Sequence, residues 1–66
     1  MQIILNGEIS NIIDNQTVAG LIESEGLSGK RLAIEINMEI IPASEHDSYV
    51  IAENDNIEIV HAIGGG

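Results

Sequence analysis

A small α+β domain, one mixed sheet crossed by a single main helix, is the fold this 66-residue sequence predicts. Three observations lead there. Fourteen isoleucines stand against one aromatic residue, Tyr49; a helical apolar stripe occupies residues 18–22; and several short runs alternate with the period of a strand. β-Branched side chains are stiff at χ1 and suit a pleated, half-buried surface, so the isoleucine excess favours strands. A domain of this size buries only about 60% of the surface its unfolded chain exposes, so its stability is modest. With no cysteine, neither a disulfide nor a thiolate metal site contributes, and a cysteine nucleophile or persulfide on this chain is excluded.

The elements follow in order. Gln2 to Leu5 and Glu8 to Ile13 are apolar-rich runs separated by Asn6-Gly7, a hairpin signal because both turn residues tolerate positive φ. Ile3 and Leu5 share one face while Ile4 points to the other, so both faces are partly apolar and the register is open. Thr17 stands where an N-cap belongs, ahead of Val18, Leu21 and Ile22 at spacings of three and four. Gly26 ends this helix, and Leu27 occupies the place from which an apolar side chain packs back on the last turn. Leu32, Ile34 and Ile36 alternate with Ala33 and Glu35 as a half-buried strand, and Ile40-Ile41 resumes the apolar run. Pro42 cannot donate to a ladder, which makes that second strand short and places it at an edge. Ser44 caps a brief turn through Asp47, Tyr49 to Ile51 follows, and Asn54-Asp55-Asn56 turns the chain into a final strand from Ile57 to Ile63.

Charge and composition narrow the function. Eleven acidic residues against Lys30 and Arg31 give a formal charge of -9. That balance repels a phosphate backbone, so nucleic acid is not an expected partner, whereas a basic protein surface would be approached faster. No apolar run reaches membrane-spanning length and no targeting segment opens the chain, so a cytoplasmic protein without a membrane partner is expected. His46 and His61 are far apart in sequence without a carboxylate constellation at ligand spacing, so no metal site is expected; His46 reads as a surface residue and His61 as a strand-end residue. The glycines form no dinucleotide fingerprint and no serine triad is plausible, so catalysis by this chain alone is not expected.

Gly64-Gly65-Gly66 comes directly after the strongest alternation in the sequence. Glycine lacks a Cβ, so three such residues can thread a channel too narrow for any other, over roughly 10 Å. The Gly66 carboxylate is therefore the candidate functional group, with residues 1–63 as the folded domain and 64–66 as a flexible tail. The residues alone leave a frayed end equally open.

The opening "MQIILNGE", the helix start "TVAGLIESEGL", the central "RLAIEINMEIIP" and the closing "NDNIEIVHAIGGG" together resemble the sulfur carrier proteins of bacterial thiazole (thiamine) biosynthesis, the ThiS family of the ubiquitin-like β-grasp superfamily. The resemblance spans nearly the whole chain, and its closing segment is the most specific part. Two positions depart from it: Met38 stands where relatives often have a turn glycine, and Ala43 follows Pro42 where a basic residue is common.

The resemblance implies a carrier cycle. A ThiF-like adenylating enzyme would use ATP and Mg²⁺ to activate Gly66 as an acyl-adenylate. A sulfur donor protein would convert it to a thiocarboxylate, and a ThiG-like thiazole synthase would take the sulfur. Gly64 and Gly65 would supply passage. Because ordering the tail opposes binding, the body must contribute a contact, placed on the exposed sheet face and last strand at Ile4, Glu58, Val60 and Ala62. The same fold would also serve a molybdopterin-type sulfur carrier, a ubiquitin-like modifier joined through Gly66, or a simple interaction domain needing no free terminus.

Overall fold

The structure is a computed structural model and describes residues 1–61. Five strands, β1 (Gln2–Leu5), β2 (Glu8–Asn11), β3 (Leu32–Ile36), β4 (Glu39–Ile41) and β5 (Asn56–His61), form one sheet in the spatial order β2-β1-β5-β3-β4. The helix α1 (Val18–Ser24) falls between β2 and β3 in sequence, and a 3₁₀ turn (Ala43–Glu45) follows β4. β5 enters the middle, parallel to β1 and antiparallel to β3.

The first hairpin resolves the register that the sequence leaves open. Asn6 and Gly7 both take positive φ, at 50° and 84°, and the two-residue turn sets Leu5 opposite Glu8, Ile4 opposite Ile9 and Ile3 opposite Ser10. Ile3 is fully buried on the helix side and Leu5 packs against the same core, so Ile4 and Ile9 face outward together. β2 stops at Asn11 instead of continuing to Ile13. The reason is the length of its partner: β1 starts at Gln2, and the last cross-strand bonds are exchanged with Met1, whose carbonyl accepts from the Ile12 N–H at 2.9 Å and whose ammonium donates to the Ile12 carbonyl at 2.6 Å.

Helix α1 starts and stops where its caps dictate. The Thr17 hydroxyl accepts from the Gly20 N–H at 3.1 Å. At the other end Gly26 takes a φ of 73°, its N–H reaches the Glu23 carbonyl, and the Leu27 N–H reaches that of Ile22, both at 3.0 Å. This double closure satisfies two carbonyls and swings Leu27 back onto the core. Seven residues of helix hold little stability of their own, so Val18 and Leu21, both fully buried, fasten α1 to the sheet.

β3 and β4 are joined by Asn37 and Met38, with φ of 52° and 73°, and β4 is a three-residue edge strand ended by Pro42. The core between sheet and helix is aliphatic: Ile34, Ile36, Ile51 and Ile57 join Ile3, Val18 and Leu21. Each such side chain contributes about 1.5–3 kcal/mol by leaving water.

The turn before β5 is tied to two other elements. The buried Asp55 carboxylate accepts from the Ala52 N–H at 2.8 Å and from Asn37 Nδ2 at 3.0 Å, and Asn37 Oδ1 accepts from the Asn56 N–H at 2.9 Å. On the other side, the Ile4 N–H donates to the Asp55 carbonyl at 2.9 Å and the Asn54 N–H to that of Gln2 at 2.7 Å. No helix among the described residues is long and apolar enough to cross a membrane.

Two substitutions test this account. Met38 is exposed and holds a backbone conformation that costs a side-chain-bearing residue roughly 1–2 kcal/mol. Met38→Gly should therefore raise the denaturant midpoint by the equivalent of about 0.5–1 kcal/mol. Asp55→Ala orphans two donors and should cost about 1–3 kcal/mol in the same chemical unfolding measurement.

Candidate functional site

The sheet has one face on the helix and one in solvent, and alternation decides which residues each receives. Along β5, Ile57 and Ile59 are buried while Glu58 and Val60 are exposed. Across the outer face, Ile4 lies opposite Ile9, Glu58 opposite Glu35, Val60 opposite Ala33, and Glu35 opposite Ile40. Ile9 and Ile40 are each 71% exposed and Val60 is 53% exposed, on strands with no second layer outside them. The face is therefore apolar at its two edges and acidic across its middle.

Glu35 and Glu58 oppose each other in an antiparallel ladder, an arrangement that repels. Neither has a salt-bridge partner among the described residues. Their repulsion falls when a cation is brought to this face, so the pair favours a basic partner.

The end of β5 is built differently from its start. β1 pairs with β5 only at Asn56 and Ile57, and beyond them Asn6 takes over: its N–H donates to the Ile57 carbonyl at 2.9 Å and its Oδ1 accepts from the Ile59 N–H at 2.8 Å. Val60 and His61 then run on with β3 alone, opposite Ala33 and Leu32. The last strand thus emerges from the sheet as half of a two-stranded ribbon.

Of the residues expected to dock a partner, Glu58 and Val60 stand exposed on the outer face. Ile4 is on that face too but half-buried, because Ile9 and Asn56 flank it. Ala62, Ile63 and the tail Gly64, Gly65 and Gly66 lie outside the described residues. His61 is at the strand end and exposed. His46, expected at the surface, is half-buried: its Nε2 donates to the Ile41 carbonyl at 3.0 Å, and its own carbonyl accepts from the Ala19 N–H at 2.8 Å. It serves as a brace between the 3₁₀ turn, β4 and α1. The residues that sequence reasoning passed over are Ile9, Glu35 and Ile40; the two-residue turns Asn6-Gly7 and Asn37-Met38 carry the signal, since each fixes which residues pair across its hairpin. Among the described residues, no three His, Asp or Glu side chains gather at metal-binding distance.

A mixed five-stranded sheet with its last strand in the centre and one helix across it defines the ubiquitin-like β-grasp class. Within that class the chain belongs to the ThiS family, whose model matches residues 3–66. It is 38% identical over 53 residues to the sulfur carrier protein ThiS of Bacillus subtilis, covering 80% of each chain. It is also 36% identical over all 66 residues to a thiazole synthase of Paramagnetospirillum magneticum, of which it spans 20% of the length. The fold superposes on the crystal structure of a thiamine biosynthesis protein (ThiS) from Geobacter metallireducens with a TM-score of 0.83, at 22% identity and over the full length of both chains.

The outer face yields an outcome in which stability and docking move in opposite directions. Glu58→Lys replaces a repelling pair with an attracting one, so thermal unfolding should shift upward slightly, by about 0.2–1 kcal/mol. The same change should slow the encounter with a basic partner, an effect that fades as salt is raised and that stopped-flow association measures.

Proposed function

We propose that this chain is a protein-borne sulfur carrier of thiazole (thiamine) biosynthesis, a cosubstrate acted on by other proteins in the cytoplasm. The observation that carries the reading is the Gly64-Gly65-Gly66 sequence three residues on from His61, where the central strand ends, in a chain of the ThiS family. β5 is held by β1, β3 and the Asn6 side chain, which gives a tail leaving it a rigid base.

The chemistry rests on the Gly66 carboxylate. A C-terminal carboxylate has a reference pKa of about 3.3–3.7, so it is an anion at neutral pH. Its oxygen attacks the α-phosphorus of ATP, pyrophosphate departs, and the carrier holds an acyl-adenylate. A sulfur nucleophile delivered by a donor protein then attacks the acyl carbon and displaces AMP, which leaves sulfur on the Gly66 carbonyl carbon. Mg²⁺ and cations of a ThiF-like adenylating enzyme offset the phosphate charge during the first step. The glycines let the carboxylate reach a buried active site while the folded body stays outside.

Ordering the tail costs roughly 1–2 kcal/mol per residue, which a body contact has to offset. The outer face supplies that contact, with Glu58 and Val60 meeting the enzyme, Ile4 on the neighbouring strand of the same face and Ala62 next but one after Val60 in sequence. A thiazole synthase that matches this whole chain over a fifth of its own length supports a ThiG-like acceptor for the sulfur.

Intact mass after incubation with ATP, Mg²⁺, a cognate adenylating enzyme and a sulfur source is the test. The expected product has one terminal oxygen replaced by sulfur. If a competent enzyme leaves neither adenylate nor thiocarboxylate, the carrier reading fails. A chain extended past Gly66 by residues that resist trimming should show no sulfur gain.

A further inference from the structure

Lys30 and Arg31 are the only Lys or Arg residues in a chain with eleven Asp and Glu residues, and the fold places both at one cleft. Its volume is about 690 Å³. Ile22 and Leu27, from the end of α1 and the loop after it, give it an apolar wall, and Ala43 with His46 lines it as well. Both cations are exposed, and among the described residues neither lies within ion-pairing distance of a carboxylate.

The backbone explains why a cleft exists at this place. β4 pairs with β3 only from Ile34 to Ile36. Pro42 then carries the chain off into the 3₁₀ turn, so Leu32 and Ala33 have β5 on one side and no strand on the other. This short stretch of open edge borders the cleft, since Leu32 and Ala33 also line it. An open edge accepts an added strand through its main-chain groups. The apolar wall accepts an aliphatic side chain, and the two unpaired cations accept carboxylates.

We propose that the cleft seats an extended segment of the activating enzyme that presents an aliphatic side chain flanked by carboxylates, laid beside Leu32 and Ala33. That the partner is the activating enzyme rests on the carrier reading above; the chemistry of the cleft does not. Leu32 pairs with His61 at the end of β5, so an enzyme that holds the tail already stands beside the cleft. The charges give the contact its purpose. A body acidic on all sides could meet a basic surface in many rotations about the tail. A single basic cleft beside an acidic sheet face admits one, because like charges penalise the others.

The test uses the whole chain labelled with ¹⁵N and an N-acetylated, C-amidated Glu-Leu-Glu peptide. Millimolar peptide should shift the amides of Ile22, Leu27, Leu32 and Ala33, and the Lys30→Glu/Arg31→Glu variant should bind about tenfold more weakly. The remaining resonances of that variant report an intact fold, and Lys30→Gln/Arg31→Gln should fall between the two. Peptide that moves none of these amides overturns the proposal, as does equal binding by the charge-reversed variant. In the adenylation assay the charge-reversed variant should raise the KM for the carrier about tenfold with kcat kept within about twofold. An unchanged KM removes the enzyme as the occupant. Should the wild-type chain never be adenylated, the carrier reading fails while the peptide titration still decides the cleft.

Discussion

Everything in this structure depends on β5 being received between two hairpins that share no ladder with each other. The β1–β2 pair contributes Leu5 and Ile4 to one side of the strand, and β3–β4 contributes Leu32 through Ile36 to the other. Ile57 is fully buried at the place where all three strands meet, with Ile36 opposite it in β3. Polar groups set the register of that insertion. Asn6 holds the strand from one hairpin turn and Asn37 from the other, while Asp55 ties its entrance. Without these bonds, a run of alternating isoleucines could slide by two residues and still bury a comparable face.

Much of the fold was legible because its signals are local. Thr17 and Gly26 bound the helix through hydrogen bonds to residues within five positions, and Pro42 ends β4 by what its own nitrogen lacks. The hairpin register was legible in principle, since the Asn6-Gly7 turn alone fixes Ile4 against Ile9. What the sequence could not display is the company each strand keeps across the sheet. That Glu35 and Glu58 oppose each other follows from a ladder between segments more than twenty residues apart, and no spacing rule encodes it. The same holds for His46, whose burial comes from Ile41 and Ala19 on two separate elements. The cleft was invisible for a further reason: it is a gap left where β4 stops short, and a gap has no residues of its own.

The surface divides its charges by position. The cleft holding the only Lys and Arg adjoins the acidic, apolar-edged sheet face at Ala33 and Val60, which belong to both. The Glu35–Glu58 pair shows that this arrangement is not optimal for stability alone, because a neutral or oppositely charged pair there would hold the ribbon more firmly. Such a like-charged pair on an exposed face is a feature that stability alone does not select.

The central position of β5 also governs when the molecule can exist during synthesis. The two hairpins are translated first, and each is a two-stranded unit of marginal stability in water. Neither can bury its apolar face against α1 in a continuous sheet until residues 56–61 have cleared the ribosome and entered the gap. Both hairpins and α1 thus wait, unfolded or loosely collapsed, for β5. Formation of the sheet should therefore be all-or-none, with exposed isoleucine hairpins as the species that precede the entry of β5.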